Sequence, residues 1–391
     1  MKAAEYRIKR NKLMHIAFYA PMKPPDHPAP SGDRRMARML MQAMRKAGHT
    51  VSLAARFRSY DGIGNVALQK RHRRAGLQLA KDYIRRHRLN PPDLWFTYHL
   101  YHKAPDWIGP TVSKHMDIPY AVAEASNAPK RAVGRWAEGY AGANTGIRAA
   151  GCVIGLNPDD IPCIKAALTD SQELFSILPF IDTSEASKFS GRKSEIQREL
   201  AKHHSLDPEV TWLLTVAMMR PGAKLDSYRL LSRSLENVWV KPWALLIVGD
   251  GPSKKEVMTS FRHFENVRFL GECDQHSIAR FAAAADIFVW PAMNEGYGMA
   301  ILEAQLSGLP IVAGNTRGVA QIVSDNFTGL LTPPGDNHSF ASAISALLCS
   351  PIDRLEMGRA ARIKALEHHS IAGAAQRLDK ILSKLTAARI S

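Results

Sequence analysis

Two glutamates eight residues apart, Glu295 and Glu303, flank a helix start in the segment ADIFVWPAMNEGYGMAILEAQLSGLPIVA, residues 285–313. The apolar spacing reads as a strand at 287–290, a Gly-containing turn at 294–298, an amphipathic helix at 299–307, a Gly-Leu-Pro break and a second buried strand. A helix start exposes unpaired N–H groups and the positive end of the helix dipole, which favours a phosphate. Gly296 and Gly298 let the backbone approach a ligand closely. Carboxylates on either side of such a phosphate accept hydrogen bonds from hydroxyls. A phosphate with hydroxyl-rich groups on both flanks describes a nucleotide sugar. The bland alternative is an ordinary βαβ unit whose glycines serve only tight packing.

Strand-like and helix-like runs alternate along the chain, and these elements must position the two acids. In the N-terminal half, strands are read at 15–20, 51–54, 94–97, 120–123, 153–155 and 174–178. A helix opens at Ser31 and Asp33, carries Met36, Leu40, Ala43 and Met44 on its apolar face, and stops at Gly48. In the C-terminal half, strands are read at 212–216, 244–248, 267–270, 287–290 and 311–313, and the run at 329–331 ends in a Pro-Pro-Gly-Asp turn. Helices are read at 253–264, 276–284, 339–348 and 353–369, and from 371 to about 388. Alternating βα units predict parallel sheets covered by helices. The polar, Ser/Thr-rich stretch at 181–191 is the expected link between residues 1–183 and residues 184–370, with a terminal helix at 371–391.

The order E-G-x-G-x-x-x-x-E-A, preceded by A-D-x-x-x-x-P and followed by G-x-P-x-V-A, resembles the donor site of retaining glycosyltransferases of family 4, also called group 1. The resemblance implies an α/β protein of GT-B fold, with two Rossmann-like domains facing each other across a cleft. It implies an acceptor-binding N-terminal domain, a donor-binding C-terminal domain and a final helix that packs back on the first. By resemblance Glu295 lies near the transferred sugar, the Gly296, Tyr297, Gly298 and Met299 loop binds its phosphate, and Glu303 holds the nucleotide ribose. In MMRPGAK (218–224), Arg220 and Lys224 match by type the two cations that neutralise the donor diphosphate, at a spacing one or two residues shorter than usual. Leu270 lies in the turn where the family seats the base. Gly249-Asp250-Gly251-Pro252 also resembles the family and reads equally well as structural.

The chain departs from the family in three places. Gln321 replaces an acid after a Gly-rich turn. Ser31-Gly32 replaces a Gly-Gly pair, leaving the Gly32 amide for a phosphate. Glu124 stands where many members carry a functional His. Glu124 and His99 each follow a strand, where a side chain reaches a ligand in the crevice. Glu124 is expected to orient or deprotonate the acceptor hydroxyl, and His99 to stand on the acceptor side. The alternative for each is a polar residue with no catalytic part. The implied reaction moves a sugar from a nucleoside diphosphate sugar to an acceptor hydroxyl with retention at the anomeric carbon. The rival activities are a sugar-nucleotide epimerase of the same fold and an inactive nucleotide-sugar or membrane-binding module.

The chain of 391 residues has material for two or three domains, and no apolar run in it is long enough to span a bilayer. The basic N-terminus followed by an apolar run at 13–20 superficially resembles a secretory signal; a first buried strand is the better reading. Cys152, Cys163, Cys273 and Cys349 form no C-x-x-C pair, so they read as buried reduced thiols in a cytoplasmic protein. No D-x-D triplet occurs, so metal-free chemistry and no cofactor beyond the donor substrate are expected.

Of the net charge of +16, residues 1–180 carry +14 (28 Lys/Arg against 14 Asp/Glu). This asymmetry calls for a polyanionic partner. The segment from Val66 to Leu89 has eight Lys/Arg and one acid, with Leu77, Ala80 and Ile84 as its expected apolar stripe. It reads as a helix able to lie on an anionic membrane surface, or as a solvated face covering the sheet. Nucleic acid is not expected, since no aromatic-interleaved basic motif accompanies the charge. The expected acceptor is an envelope glycolipid or surface-polysaccharide precursor, met at the inner face of the cytoplasmic membrane.

Overall fold

The computed structural model describes residues 13–29, 31–158, 160–240, 242–295 and 298–387. The chain forms two compact units, Met1–Ile177 with Ile371–Ser391, and Leu178–Ser370. The first unit is therefore discontinuous in sequence. The division falls ahead of the polar 181–191 stretch, which folds into the second unit. There Ile181 donates its N–H to the His369 carbonyl (2.8 Å) and Phe189 joins the core.

The first unit holds a six-stranded sheet in the order β2-β1-β3-β4-β5-β6, with every neighbouring pair parallel. Its strands are β1 His15–Tyr19, β2 Thr50–Leu53, β3 Leu94–Leu100, β4 Tyr120–Ala125, β5 Cys152–Gly155 and β6 Glu173–Ser176. The second unit holds another six-stranded parallel sheet, in the order β12-β11-β10-β7-β8-β9. Its strands are β7 Thr211–Val216, β8 Trp243–Val248, β9 Val267–Gly271, β10 Ile287–Trp290, β11 Ile311–Gly314 and β12 Gly329–Thr332. Strands covered on both faces must be apolar throughout. WALLIV in β8 and IFVW in β10 are accordingly buried at every residue.

Helix Gly32–Lys46 starts where Ser31 Oγ accepts from the Arg34 N–H (3.2 Å), and it buries four methionines (Met36, Met39, Met41 and Met44). Helix Ile371–Ala387 packs against it. Its buried residues Ile371, Ala374, Ala375, Leu378, Ile381 and Leu382 recur at helical spacing, which ties the end of the chain to the first unit. The basic N-terminal residues 1–12, and Ala388 at the expected end of the last helix, lie outside the described residues.

Helix Val66–His87 corrects the expected stripe. Gln69, Gly76, Ala80 and Tyr83 are buried, whereas Leu77 is 36% exposed and Ile84 only half-buried. The cause is Gly76, which lets Trp107 seat against the helix; a Cβ there would lie 2.4 Å from Trp107 Cβ. Tyr83 then meets Trp95 edge-on at 5.1 Å.

Truncating the docked terminal helix should loosen the first unit. Leu378 is fully buried, and Leu378→Ala is expected to destabilise that unit by about 2–5 kcal/mol. Denaturant melts followed by circular dichroism check this; an unchanged melt would detach the helix from the core.

Candidate active site

In each sheet the chain runs to one side of its first strand and later to the other. Loops at that reversal part company and leave a crevice beyond the strands' C-terminal ends. In the second unit the reversal lies between β7 and β10. The connection after β7 enters helix Ala223–Glu236, whose second residue is Lys224. The loop after β10 carries Glu295.

The two meet there: Lys224 Nζ donates to Glu295 Oε2 in a partly buried ion pair. Trp290 Nε1 donates to the same carboxylate oxygen at 3.1 Å, and the Lys224 ammonium stands 5.2 Å from the Trp290 ring centroid. Trp290 is backed edge-on by Tyr228 (5.0 Å), whose hydroxyl donates to the Ala217 carbonyl (2.7 Å). Ser227 Oγ accepts from the Met293 N–H (3.0 Å) and pins the Glu295 loop to the Lys224 helix. That loop bends through left-handed conformations at Ala292 (φ 55°) and Asn294 (φ 53°), each costing on the order of 1–3 kcal/mol.

Gly298 is the cap residue of helix Met299–Leu306, with φ 66° and no side-chain cap bond. Met299 is the helix's first residue, and Glu303 lies one turn further in, half-buried. Gly296 and Tyr297 lie outside the described residues. Arg220 is exposed at the loop tip with Nη2 3.3 Å from Met218 Sδ, and it takes no part in the Lys224–Glu295 pair. Leu270 sits half-buried near the end of β9.

The Gly249-Asp250-Gly251-Pro252 turn has a structural task. A Cβ on Gly249 would lie 1.9 Å from the Ala217 carbonyl oxygen, and one on Gly251 would lie 2.3 Å from that of Met219. Met219 N–H donates to Asp250 O, and Ser253 N–H to Met219 O (2.9 Å each). The turn therefore holds the loop leading to Lys224. Trp290, Tyr228 and Ser227 were not singled out in the sequence. A tryptophan ending a strand five residues before Glu295 was the available signal.

In the first unit the reversal lies between β1 and β3. Asp33, in the first turn of helix Gly32–Lys46, meets His99 at the end of β3 (Oδ1–Nδ1 2.9 Å). His99 (φ 63°) and Glu124 (φ 55°) both hold the left-handed backbone that non-glycine residues avoid. Burial alone would lower the His99 pKa. The Asp33 hydrogen bond, with the charges of Glu124, Asp33 and Asp160, outweighs burial and raises it. Burial raises the Glu124 pKa, partly offset by His99 and a Tyr98 hydrogen bond. The His99 hydrogen bond holds Asp33 below the usual carboxylate range.

Gly32 opens its helix behind the Ser31 cap. The arginines near it hold the Pro-rich loop: Arg34 donates to His27 O (2.8 Å) and Pro28 O (3.0 Å), and Arg38 to Pro25 O (2.6 Å). Asp106 is buried but structural, accepting from Thr97, Tyr120 and the Ile108 and Gly109 amides.

Residues 210–350 match the family described as glycosyl transferases group 1. A GDP-mannose-dependent monoacylated alpha-(1-6)-phosphatidylinositol monomannoside mannosyltransferase of Corynebacterium glutamicum is 34% identical over 148 residues, 35% of this chain and 38% of that protein. The sulfoquinovosyl transferase SQD2 of Arabidopsis thaliana is 33% identical over 121 residues, 30% of this chain and 24% of that protein. The chain thus aligns with well under half the length of these curated relatives. Among solved structures, sucrose-phosphate synthase from Thermosynechococcus elongatus superposes with a TM-score of 0.70 at 16% identity, covering 96% of this chain and 99% of the other. Anabaena HepE in complex with UDP and glucose gives 0.64 at 16% identity, covering 95% and 100%. These structural likenesses establish a GT-B fold.

The Asp33–His99 pair makes a checkable titration. A raised folded pKa means the charged imidazole is favoured in the native state. Its stabilisation is full below pH 6.5 and fades as pH rises through the raised midpoint. NMR titration should place the His99 midpoint above 6.5, and Asp33→Asn should bring it down. A midpoint unmoved by that substitution would dissolve the pair.

Proposed function

We propose, from the match of residues 210–350 to glycosyl transferases group 1, that the chain is a retaining glycosyltransferase. It moves a sugar from a nucleoside diphosphate donor to a hydroxyl of an envelope glycolipid or surface-polysaccharide precursor. The observation that carries this reading is the Lys224–Glu295–Trp290 cluster at the β7/β10 reversal. A partly buried cation at a helix N-terminus opposes the helix dipole and needs a counter-anion. Glu295 supplies it in the free protein. A donor diphosphate replaces that partner on Lys224, and the released carboxylate accepts from hydroxyls of the sugar. One ligand with a diphosphate and a polyol satisfies both exchanges.

In the reaction the anomeric carbon–oxygen bond to the diphosphate breaks and the bond to the acceptor oxygen forms on the same face. The acceptor proton passes to the departing phosphate oxygen. Negative charge grows on the leaving group, so Lys224 stabilises the transition state more than the ground state. Arg220, on the same loop, is assigned as a second cation, and the 296–298 loop with the start of helix Met299–Leu306 as further positive field. Glu303 takes the ribose and Leu270 the base side. No metal is given a part, because these groups meet the diphosphate charge. In the first unit, Glu124 and His99 are assigned to orienting the acceptor hydroxyl, with Asp33 fixing the imidazole. The Gly32 amide is a lesser candidate, since Ser31 already caps its helix.

The names of the relatives support a lipid or polyol acceptor: one acts on a phosphatidylinositol mannoside, and another is a D-inositol 3-phosphate glycosyltransferase of Corynebacterium aurimucosum. Helix Val66–His87 supports a place at a cytoplasmic membrane face, since it exposes Lys70, Arg71, Arg74, Lys81, Arg85 and Arg86. Just outside it Ile63 and Leu89 are 74% and 91% exposed. No described helix is long and apolar enough to cross a membrane.

The test is incubation with UDP-, GDP- and ADP-sugars and a membrane lipid extract. Free nucleoside diphosphate should appear only when acceptor is present. Lys224→Ala and Glu295→Ala should each lower kcat by roughly 10²–10³-fold without unfolding the protein. An isomerised intact donor, or turnover indifferent to both substitutions, refutes the reading.

Membrane docking has its own measurement. Binding to phosphatidylserine-containing vesicles should fall steeply with salt. Arg71→Glu with Arg74→Glu should weaken it at least roughly tenfold, at about 1 kcal/mol per lost cation. Salt-insensitive binding would remove the electrostatic argument.

A further inference from the structure

Helix Pro351–His368 buries only Gly358, Ala361 and Ala365. These small residues let it lie tightly on the turn after helix Met299–Leu306; a Cβ on Gly358 would sit 2.2 Å from the Gly308 carbonyl oxygen. Elsewhere on its surface the helix does what a solvent-facing helix avoids. Ile352, Leu355, Ile363 and Leu366 are 69%, 54%, 56% and 42% exposed. At helical spacing these four, with Arg359 between them, fall within roughly 80° of the helix circumference. Phe327, 64% exposed, shares a shallow groove with Ile363 and Arg359. The five apolar side chains expose on the order of 500 Å², a patch of the size that marks an interaction surface.

The order of the stripe says what covers it. Ile352, Leu355, Arg359, Ile363 and Leu366 are spaced three, four, four and three residues apart, so the pattern reads the same in both directions about Arg359. A two-fold interface requires one patch to complement itself. Two such helices laid antiparallel about Arg359 bring Ile352 opposite Leu366 and Leu355 opposite Ile363 of the second copy. The same arrangement sets the two Arg359 side chains against each other at the axis, so the charges fit only if an acid one turn away joins them. Glu356 and Arg359 are one turn apart, and neither has an ion-pair partner among the described residues. Across the two-fold, each Arg359 reaches the Glu356 of the other copy. The acids beside the stripe, Asp353, Glu356 and Glu367, argue against an anionic lipid as its cover.

We propose that this face joins two copies of the chain into an antiparallel, two-fold dimer through helix Pro351–His368. Both copies together bury about 1,000–1,200 Å², near the lower limit for a specific interface. An interface of that size places the dimer among weak, reversible associations.

Sedimentation velocity on the intact protein across roughly 1–200 µM, the range in which weak dimers dissociate, tests this. The expected result is a concentration-dependent monomer–dimer shift. Ile363→Glu should weaken association at least roughly tenfold with an unchanged thermal melt, since the side chain is exposed in the monomer. The charge pair provides the control for register. Glu356→Arg alone or Arg359→Glu alone should weaken the dimer, and the two together should restore it. A monomer throughout the range overturns the proposal. So does a dimer indifferent to Ile363→Glu, or one that the double exchange fails to restore. A monomer whose binding to phosphatidylcholine vesicles is lost in Ile363→Glu would assign the patch to a lipid surface instead.

Discussion

The contact between Lys224 and Glu295 organises the end of the second unit where β7 and β10 part. It joins opposite charges 71 residues apart in sequence, one on a helix start and one on a loop, at the place where that sheet's connections diverge. Neither charge is comfortable alone. The ammonium stands at the positive end of a helix, and the carboxylate is 15% exposed beside an indole. Whatever separates them must bring a negative group for one and donors for the other. The surroundings are built to hold that balance: Tyr228 anchors to Ala217, Gly249 lets the neighbouring turn press on the same carbonyl, and Ser227 pins Met293.

The first unit applies the same topological rule to different chemistry. Its reversal brings Asp33 to His99, while the acids Glu124 and Asp160 bear on the same imidazole. Its arginines, which composition makes look available, are partly engaged: Arg34 and Arg38 donate to loop carbonyls. Net charge therefore says little about what this end presents to a ligand. Part of the surplus, seven Lys/Arg against one Asp, sits on helix Val66–His87.

Eleven of the twelve strands were legible, because a sheet covered on both faces leaves short apolar runs bounded by turn residues, as in β8 and β10; the edge strand β12 was not read as one. That Glu295 and Lys224 each follow a strand was legible because each lies beside a glycine-bearing turn after such a run. What the sequence concealed was long-range pairing. Nothing local announces that Asp33 will meet His99, or that Trp290 will turn its N–H on Glu295. The stripe on helix Val66–His87 was misread because Gly76 counts for nothing in apolar periodicity, yet decides where Trp107 seats. The 181–191 stretch looked like a linker from its polarity, while Ile181 and Phe189 within it are core residues.

The first unit is interrupted in sequence by the whole of the second. During synthesis the chain from Leu178 to Ser370 leaves the ribosome complete and able to fold while its neighbour still lacks helix Ile371–Ala387. Until that segment arrives, helix Gly32–Lys46 lacks the helix that packs against it. Maturation of the earlier-translated half thus waits on the later one. Cleavage near Ser370 would uncap a hydrophobic surface nearly the whole chain upstream.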